Sequence, residues 1–564
     1  MSEPGAFEER LAATLGALAG ETDPLVLKHV AQAASAVRGG SVCVQLSETD
    51  RDRVAGSRLV GGPAGATPLV LEGEKLYLRR WFDHERTLAE HLLARTAAAP
   101  LGSAAERAAA LDLLFAGAPP EAARQREAAA TALERRLTVV VGGPGTGKTT
   151  TVVRMLAALI RVGGHQHVRL LAPTGKAAAR LEEAVRAQRE QLPESLRAAI
   201  PTTASTIHRA LGSVGGSRVR FRHGARSPLP DDVVVVDEAS MVDLALMRRL
   251  VEAVPERARL VLLGDRHQLA SVEAGAVLAE LCAAEEGALQ GCVVTLEHSW
   301  RFTSEGGIGA LARAIRLGDV DGALRVLRAG GQVGWVPDAA AGVLPDAVER
   351  AVCTGYAPLV RASSDSSALT ALSRFKLLCA HRRGPFGVER LNPLVERALA
   401  TAGLLHPTAS WYPGRPLSIA ENDYRLGLYN GDQGVVRGGE DGLRACFPGA
   451  DGGVRRLAPA RLPAHDTVFA MSVHKSQGSE YDRIAIVLPE ESSPLLTREL
   501  LYTAVTRARE SVLVVGAAAS IAKAIRTSVQ RTGGLGQALG RGVPRSAPSV
   551  ERADQRPSIS PDGA

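Results

Sequence analysis

Apolar positions follow several different spacings along this chain, and each spacing predicts a different kind of element. Between residues 11 and 37 they recur with helical periodicity, and residues 41–46 and 68–78 then read as strand-like pieces. From about residue 121 to 300, short apolar runs at Val139, Leu170, Val234, Leu262 and Val294 are separated by Ala-, Leu- and Arg-rich helical stretches. That alternation predicts a parallel sheet with crossover helices. The pattern returns at residues 375–380, 468–472, 484–488 and 512–515, so a second, similar lobe is expected. Residues of about 400–465 break it with Gly-rich turns between short strand-like pieces, as in a small β-barrel insert.

The expected fold class is therefore α/β, with two parallel-sheet lobes. An Ala/Pro-rich stretch at 97–103 suggests the end of a small α/β or helical N-terminal domain over residues 1–105. The first lobe is expected over 121–345, with a short Arg/Gly-rich insert at 212–231. The second is expected over 346–535 and carries the β-insert. Residues 536–564, rich in Gly, Ser, Pro and Arg, read as a disordered tail.

Charge and cysteine content change this picture only modestly. The net charge is +7, and because residues 1–100 carry a net −2, the rest of the chain carries +9, a bias that suits a polyanionic partner. The six cysteines form no C-x-x-C pair, which argues against zinc, an iron–sulfur cluster or a disulfide framework and points to a reducing cytoplasm. No secretory leader and no membrane-spanning apolar stretch is read in the sequence.

The chemistry begins at residues 142–149, Gly-Gly-Pro-Gly-Thr-Gly-Lys-Thr, directly after the apolar run 137–141. Gly142, Gly143, Pro144, Gly145, Thr146 and Gly147 form a loop whose backbone N–H groups can turn onto phosphates. Lys148 reaches the β/γ oxygens, the Thr149 hydroxyl ligates Mg²⁺, and Thr150 continues into the helix. This spacing predicts binding of a nucleoside triphosphate. The chain has seven lysines against sixty arginines, and Lys148, Lys176 and Lys475 all lie in motifs. A compact ammonium and a planar guanidinium are not interchangeable in a phosphate pocket.

Asp237 and Glu238 follow the apolar run 233–236, where Asp237 can hold Mg²⁺ opposite Thr149 and Glu238 can accept a proton from the attacking water. Gln268, after the run 259–263, can sense the γ-phosphate, and Gln125, seventeen residues before Gly142, can pair its amide with adenine N6 and N7. Arg301 and Arg507 can act as fingers that stabilise transition-state charge. For Gln125 the competing reading is a surface glutamine, for the arginines a surface or helix-end position. A GTPase is disfavoured, since the chain has no Asn-Lys dipeptide.

In order, Gln125, GGPGTGKTT, APTGKAAARL, ASTIHRAL, VVVVDEASMVD, LLGDRHQLASVEAG, HSWRF, AMSVHKSQGSEYD and LYTAVTRAR resemble the full motif set of superfamily 1 DNA helicases. They resemble most closely the RecD branch, the alpha subunits of exodeoxyribonuclease V. The resemblance covers about residues 1–540. It implies two RecA-like motor lobes with an SH3-like insert, ATP and Mg²⁺ as cofactors, and 5′→3′ movement on single-stranded DNA, engaging the 5′-ended strand at duplex ends. It implies DNA contacts from Thr174, Gly175, Lys176, His208, Ser472 and His474, and a ribose contact from Glu480. For His208 and His474 a hydrogen-bonded core histidine is the alternative. It also implies that residues 1–105 dock onto two large subunits resembling RecB and RecC, with any nuclease on another subunit. The rival readings are a stand-alone helicase of the same branch and a scaffold subunit with a vestigial ATPase.

Overall fold

The computed structural model describes residues 3–164, 167–214, 220–302, 306–337, 342–423, 425–439, 442–449 and 452–540. Four sheets organise it. The first lobe is a six-stranded sheet, in the spatial order Val293–Leu296, Leu137–Gly142, Arg259–Gly264, Val233–Val236, Val168–Ala172 and Ala204–Thr206, with every pairing parallel. Both of its faces are covered, which is why its central strands read as unbroken apolar runs. Val234, Val236, Leu260 and Leu262 point into one core, while Val233, Val235, Val261 and Leu263 point into the other.

The second lobe is a five-stranded sheet ordered Val333–Val336, Ala508–Val515, Tyr481–Val487, Phe375–Cys379 and Ala470–Ser472, again parallel throughout. Its first strand corrects the lobe boundary expected at residue 345. Helices Gly307–Leu317 and Val320–Ala329 bury Ile308, Leu311, Ile315 and Leu327 with Val512 and Val514, so the second lobe begins at about residue 306. Parallel pairing joins strands far apart in sequence, and no local pattern marked Val333–Val336 as belonging with residues 508–515.

Residues 416–467 form a separate antiparallel sheet, ordered Val454–Leu457, Gly442–Pro448, Gln433–Gly439, Pro416–Ile419 and His465–Thr467. Leu417, Ile419, Val436, Ala445 and Phe447 fill its own small core, while Val435 and Cys446 face the second lobe.

The N-terminal region pairs helices Ala6–Ala19 and Pro24–Arg38 with a sheet ordered Cys43–Gln45, Lys75–Leu78, Leu69–Glu72 and Val60–Gly61. Strand alternation sends Val44, Leu69 and Leu76 into a local core and Cys43, Val70 and Tyr77 into the core of the first lobe. Helix Arg79–Leu93 adds Phe82, Leu88 and Leu92 to that shared core. Residues 1–105 are thus not a detachable unit. The expected boundary stretch is itself built in: Ala99 and Leu101 donate to the carbonyls of Glu134 and Leu133, and the buried Arg259 donates to Ala99 O.

The tail expected from residue 536 is also corrected at its start. Helix Leu535–Gly540 buries Leu535 and Leu539 beside Leu88 and Leu281, and residues 541–564 lie outside the described residues. The segment leading to it runs along the N-terminal sheet. Val42 N donates to Thr532 O at 2.7 Å, Lys75 Nζ to Gly533 O at 2.5 Å, and Gly534 N to the Glu85 carboxylate at 2.9 Å. Of the insert at 212–231, residues 215–219 are outside the described set; the rest carries short bridges, Ser213 with Phe221 and Gly224 with Ser227. Among the described residues no helix is long and apolar enough to cross a membrane.

Candidate ATP site and nucleic-acid interface

Strand Leu137–Gly142 delivers the phosphate loop at the carboxyl edge of the first sheet, and helix Lys148–Gly163 leaves from it. Gly145 and Gly147 have φ of +77° and +82°, conformations that side-chain-bearing residues rarely adopt. A Cβ at Gly145 would strike Arg301, and one at Gly147 would strike Gln125. The loop is therefore clasped between helix Ala123–Glu134 on one side and residues 298–302 on the other. Trp300 N donates to Gly145 O at 2.8 Å, and Gln125 Nε2 donates to Thr146 O at 3.3 Å. Thr146 Oγ1 donates to Gly143 O at 2.9 Å, tightening the turn.

Lys148 Nζ donates to Gly142 O and Gly143 O at 2.6 and 3.0 Å, which places its ammonium inside the loop. Thr149 is half-buried at the start of the helix. Thr150 follows in the same helix. Its hydroxyl donates to Gln188 Oε1 at 3.1 Å on the neighbouring helix Gly175–Arg189.

Strand Val233–Val236 ends in the carboxylate pair. Asp237 Oδ1 accepts from Glu238 N at 2.8 Å, and burial, followed by the Glu238 charge, pushes the Asp237 carboxyl above its ordinary range while Lys148 and Arg180 pull it back. A buried acidic group opposed by a loop lysine fits a divalent cation held with Thr149. Gln268 is buried on the adjacent loop. Its Nε2 donates to Asp265 Oδ2 at 3.2 Å, and its Oε1 has no partner among the described residues.

The second lobe reaches this cluster. Arg507 is 2% exposed, with Nε donating to Thr503 O and Nη1 to Ser479 O, both at 3.1 Å. Burial lowers its pKa, and the nearby carboxylates of Glu238 and Glu480 raise it. The structure thus brings Lys148, Asp237, Glu238, Gln268 and Arg507 to one cleft. Arg301 lies beside the loop, but its Nη2 is ion-paired with Glu480 Oε2 at 2.8 Å, and its Nη1 is buried without a partner among the described residues.

Glu480, expected at the ribose, sits at the centre of an arginine cluster. Its Oε1 pairs with Arg180 and its Oε2 with both Arg301 and Arg509; burial pushes its carboxyl up, but Arg180 and Arg301 hold it far below the usual range. The sequence reading missed Arg180, Asp265, Trp300 and Tyr502, although all four lie inside motifs it quoted. Trp300, 47% exposed, stands 3.4 Å from where a Cβ on Gly147 would be.

The residues expected on the DNA path sit at the same carboxyl edges. Thr174 caps helix Gly175–Arg189, its Oγ1 accepting from Ala177 N at 3.2 Å. Gly175 packs against Tyr429 of the β-insert, and Lys176 Nζ lies 5.8 Å from the Tyr481 ring centroid. Gly478 packs on Ala177, so these segments of the two lobes meet. Ser472 Oγ accepts from Lys475 N at 3.4 Å, and His474 is half-buried, with burial lowering its pKa. His208 lies further along, its ring 5.9 Å from Phe221 of the insert. Lys475 does not behave as a pocket lysine: it is exposed and paired with Asp466 at 3.1 Å. Among the described residues no group of three or more His, Cys, Asp or Glu is placed to hold a metal ion.

A family model described as an AAA domain matches residues 121–338, and one described as a UvrD-like helicase C-terminal domain matches residues 467–515. The RecBCD enzyme subunit RecD of Mycolicibacterium smegmatis is 44% identical over 94% of this chain and 96% of its own. The RecBCD enzyme subunit RecD of Mycobacterium tuberculosis H37Rv is 44% identical over 93% of each. The ATP-dependent RecD2 DNA helicase of Deinococcus radiodurans is 33% identical over 68% of this chain and 47% of its own. Among solved structures, Bacteroides Pif1 bound to ssDNA aligns over 70% of this chain and 91% of its own at 19% identity, with a TM-score of 0.40.

Proposed function

Because the chain belongs to the RecD family of RecBCD enzyme subunits, we propose that it is the ATP-dependent 5′→3′ DNA helicase subunit of a helicase–nuclease complex that processes DNA ends for double-strand break repair by recombination. The observation that carries this reading is the cleft in which Lys148, Asp237, Glu238 and Gln268 of one lobe meet Arg507 of the other. A vestigial site has no reason to keep the full set. ATP with Mg²⁺ supplies the phosphoanhydride whose cleavage drives the motor.

The chain's own groups divide the work. The 142–149 loop and Lys148 bind the phosphates, Thr149 and Asp237 hold the cation, and Glu238 takes the proton of the attacking water. Arg507 neutralises developing charge and ties hydrolysis to the seating of the lobes. Thr174, Gly175, Lys176, His208, Ser472 and His474 offer hydroxyls, backbone N–H groups and cations to a phosphate backbone, which suits binding without sequence preference. We read the antiparallel insert as a small SH3-like barrel. The partners are two large subunits of the RecB and RecC kind, with the nuclease on one of them, and the setting is the cytoplasm. Coverage of 96% of a RecD chain against 47% of a RecD2 chain favours the complex subunit over a stand-alone helicase.

The test is unwinding of duplexes with either a 5′ or a 3′ single-stranded tail, with Lys148→Gln as control. The 5′-tailed substrate should be opened, and the variant should lose about 10²–10³ in ATP turnover. Preference for the 3′ tail, or turnover within about twofold of wild type in the variant, would overturn the assignment.

A further inference from the structure

One contact between the lobes has no part in the scheme above. Tyr502, 5% exposed on helix Arg498–Val505 of the second lobe, donates from Oη to Asp265 Oδ2 of the first lobe at 3.1 Å. The same carboxylate oxygen accepts from Gln268 Nε2 at 3.2 Å, while Oδ1 accepts from His267 N at 3.0 Å. Asp265 is 1% exposed, so an ionised carboxylate there depends on these donors, and one of them comes from the opposite lobe.

The arrangement also fixes which way the Gln268 amide faces. A carboxylate only accepts, so Nε2 must turn toward Asp265, and Oε1 is left buried as an unengaged acceptor. An acceptor in that position can take a hydrogen bond from an attacking water. Two neighbouring contacts cross the same boundary: Leu269 N donates to Thr503 Oγ1 at 2.9 Å, and Gln477 Nε2 donates to Leu269 O at 2.8 Å. The Tyr502 hydroxyl also abuts the phosphate loop, since a Cβ on Gly143 would stand 3.0 Å from it.

We propose that Tyr502 is a positioning residue for ATP hydrolysis: from the second lobe it holds Asp265, and through Asp265 it sets the Gln268 amide with its oxygen free for the attacking water. Seating of the second lobe thereby sets the sensor of the first. The proposal rests on the reading of Gln268 as the γ-phosphate and water sensor.

The test is a double-mutant cycle on the full chain, with steady-state ATP turnover measured at saturating single-stranded DNA for Tyr502→Phe, Gln268→Ala and the pair. Tyr502→Phe keeps the ring and its packing, and a matched thermal unfolding midpoint confirms the fold. It should lower kcat about tenfold, as expected for one hydrogen bond to a charged group, with the KM for ATP within about twofold of wild type. In the Gln268→Ala background the same change should cost nothing further, because the group it positions is gone. An equal loss in both backgrounds, an unchanged kcat in Tyr502→Phe alone, or a rise in KM at constant kcat would overturn the positioning role while leaving the sensor in place. Full turnover in Gln268→Ala would remove the sensor reading itself.

Discussion

Among the described residues Glu238 alone, other than glycines, has a positive φ, at +51°. A left-handed glutamate costs of order 1 kcal/mol, and its place immediately after Asp237 aims it away from the path of the strand. Glu238→Gln keeps that backbone and removes only the proton acceptor. It should bind a fluorescent ATP analogue as wild type does while turnover falls by about 10² or more. Arg507 behaves differently because it is both buried and bonded. Arg507→Ala should abolish DNA-stimulated hydrolysis and also cost about 2 kcal/mol in urea unfolding, since the carbonyls of Thr503 and Ser479 lose their donor. These residues were legible in the sequence because each sits in a contiguous motif whose chemistry is local. The partners of Asp265 and Glu480 were not. Tyr502 is 237 residues from Asp265, and no spacing rule reaches that far.

At the scale of elements, Glu480 joins three of them: helix Gly175–Arg189 through Arg180, the 298–302 segment through Arg301, and strand Ala508–Val515 through Arg509. Its carboxyl is held below the ordinary value of 4.5, so the stability it contributes is fully present above that value and is lost as the pH falls through and below it. Glu480→Gln should therefore destabilise the chain at pH 7, by about 2 kcal/mol once the partial exposure of the three arginines is allowed for. It should also flatten the loss of stability in acid. Urea midpoints of both proteins at neutral and acidic pH give the comparison, and parallel curves would exclude the arginine cluster as a tie between the lobes. Strand runs in both lobes were readable as elements because burial on two faces leaves them uniformly apolar. The assignment of Val333–Val336 to the second sheet was not, for its alternation of Val, Gly and Trp says nothing about a partner at residues 512–515.

For the whole molecule, the shared core of the N-terminal sheet and the first lobe changes what truncation does. In sequence, the Ala/Pro-rich stretch at 97–103 reads as the end of a separate N-terminal domain. Yet Cys43, Val70, Tyr77, Phe82, Leu88 and Leu92 line the same core as Leu250 and Leu281. Deleting residues 1–105 should leave an insoluble or unfolded chain rather than a free motor, as solubility and circular dichroism would report, and a soluble truncation with native DNA-stimulated turnover would contradict the shared core. The segment at Thr532 gives this architecture a temporal side. Its carbonyl satisfies Val42 N, and its own N–H donates to Ser41 Oγ, 491 residues earlier in the chain. During synthesis the edge of the first sheet to be made therefore waits, unpaired, until nearly the last of the described residues has left the ribosome. An exposed strand edge held open that long invites mispairing with other chains.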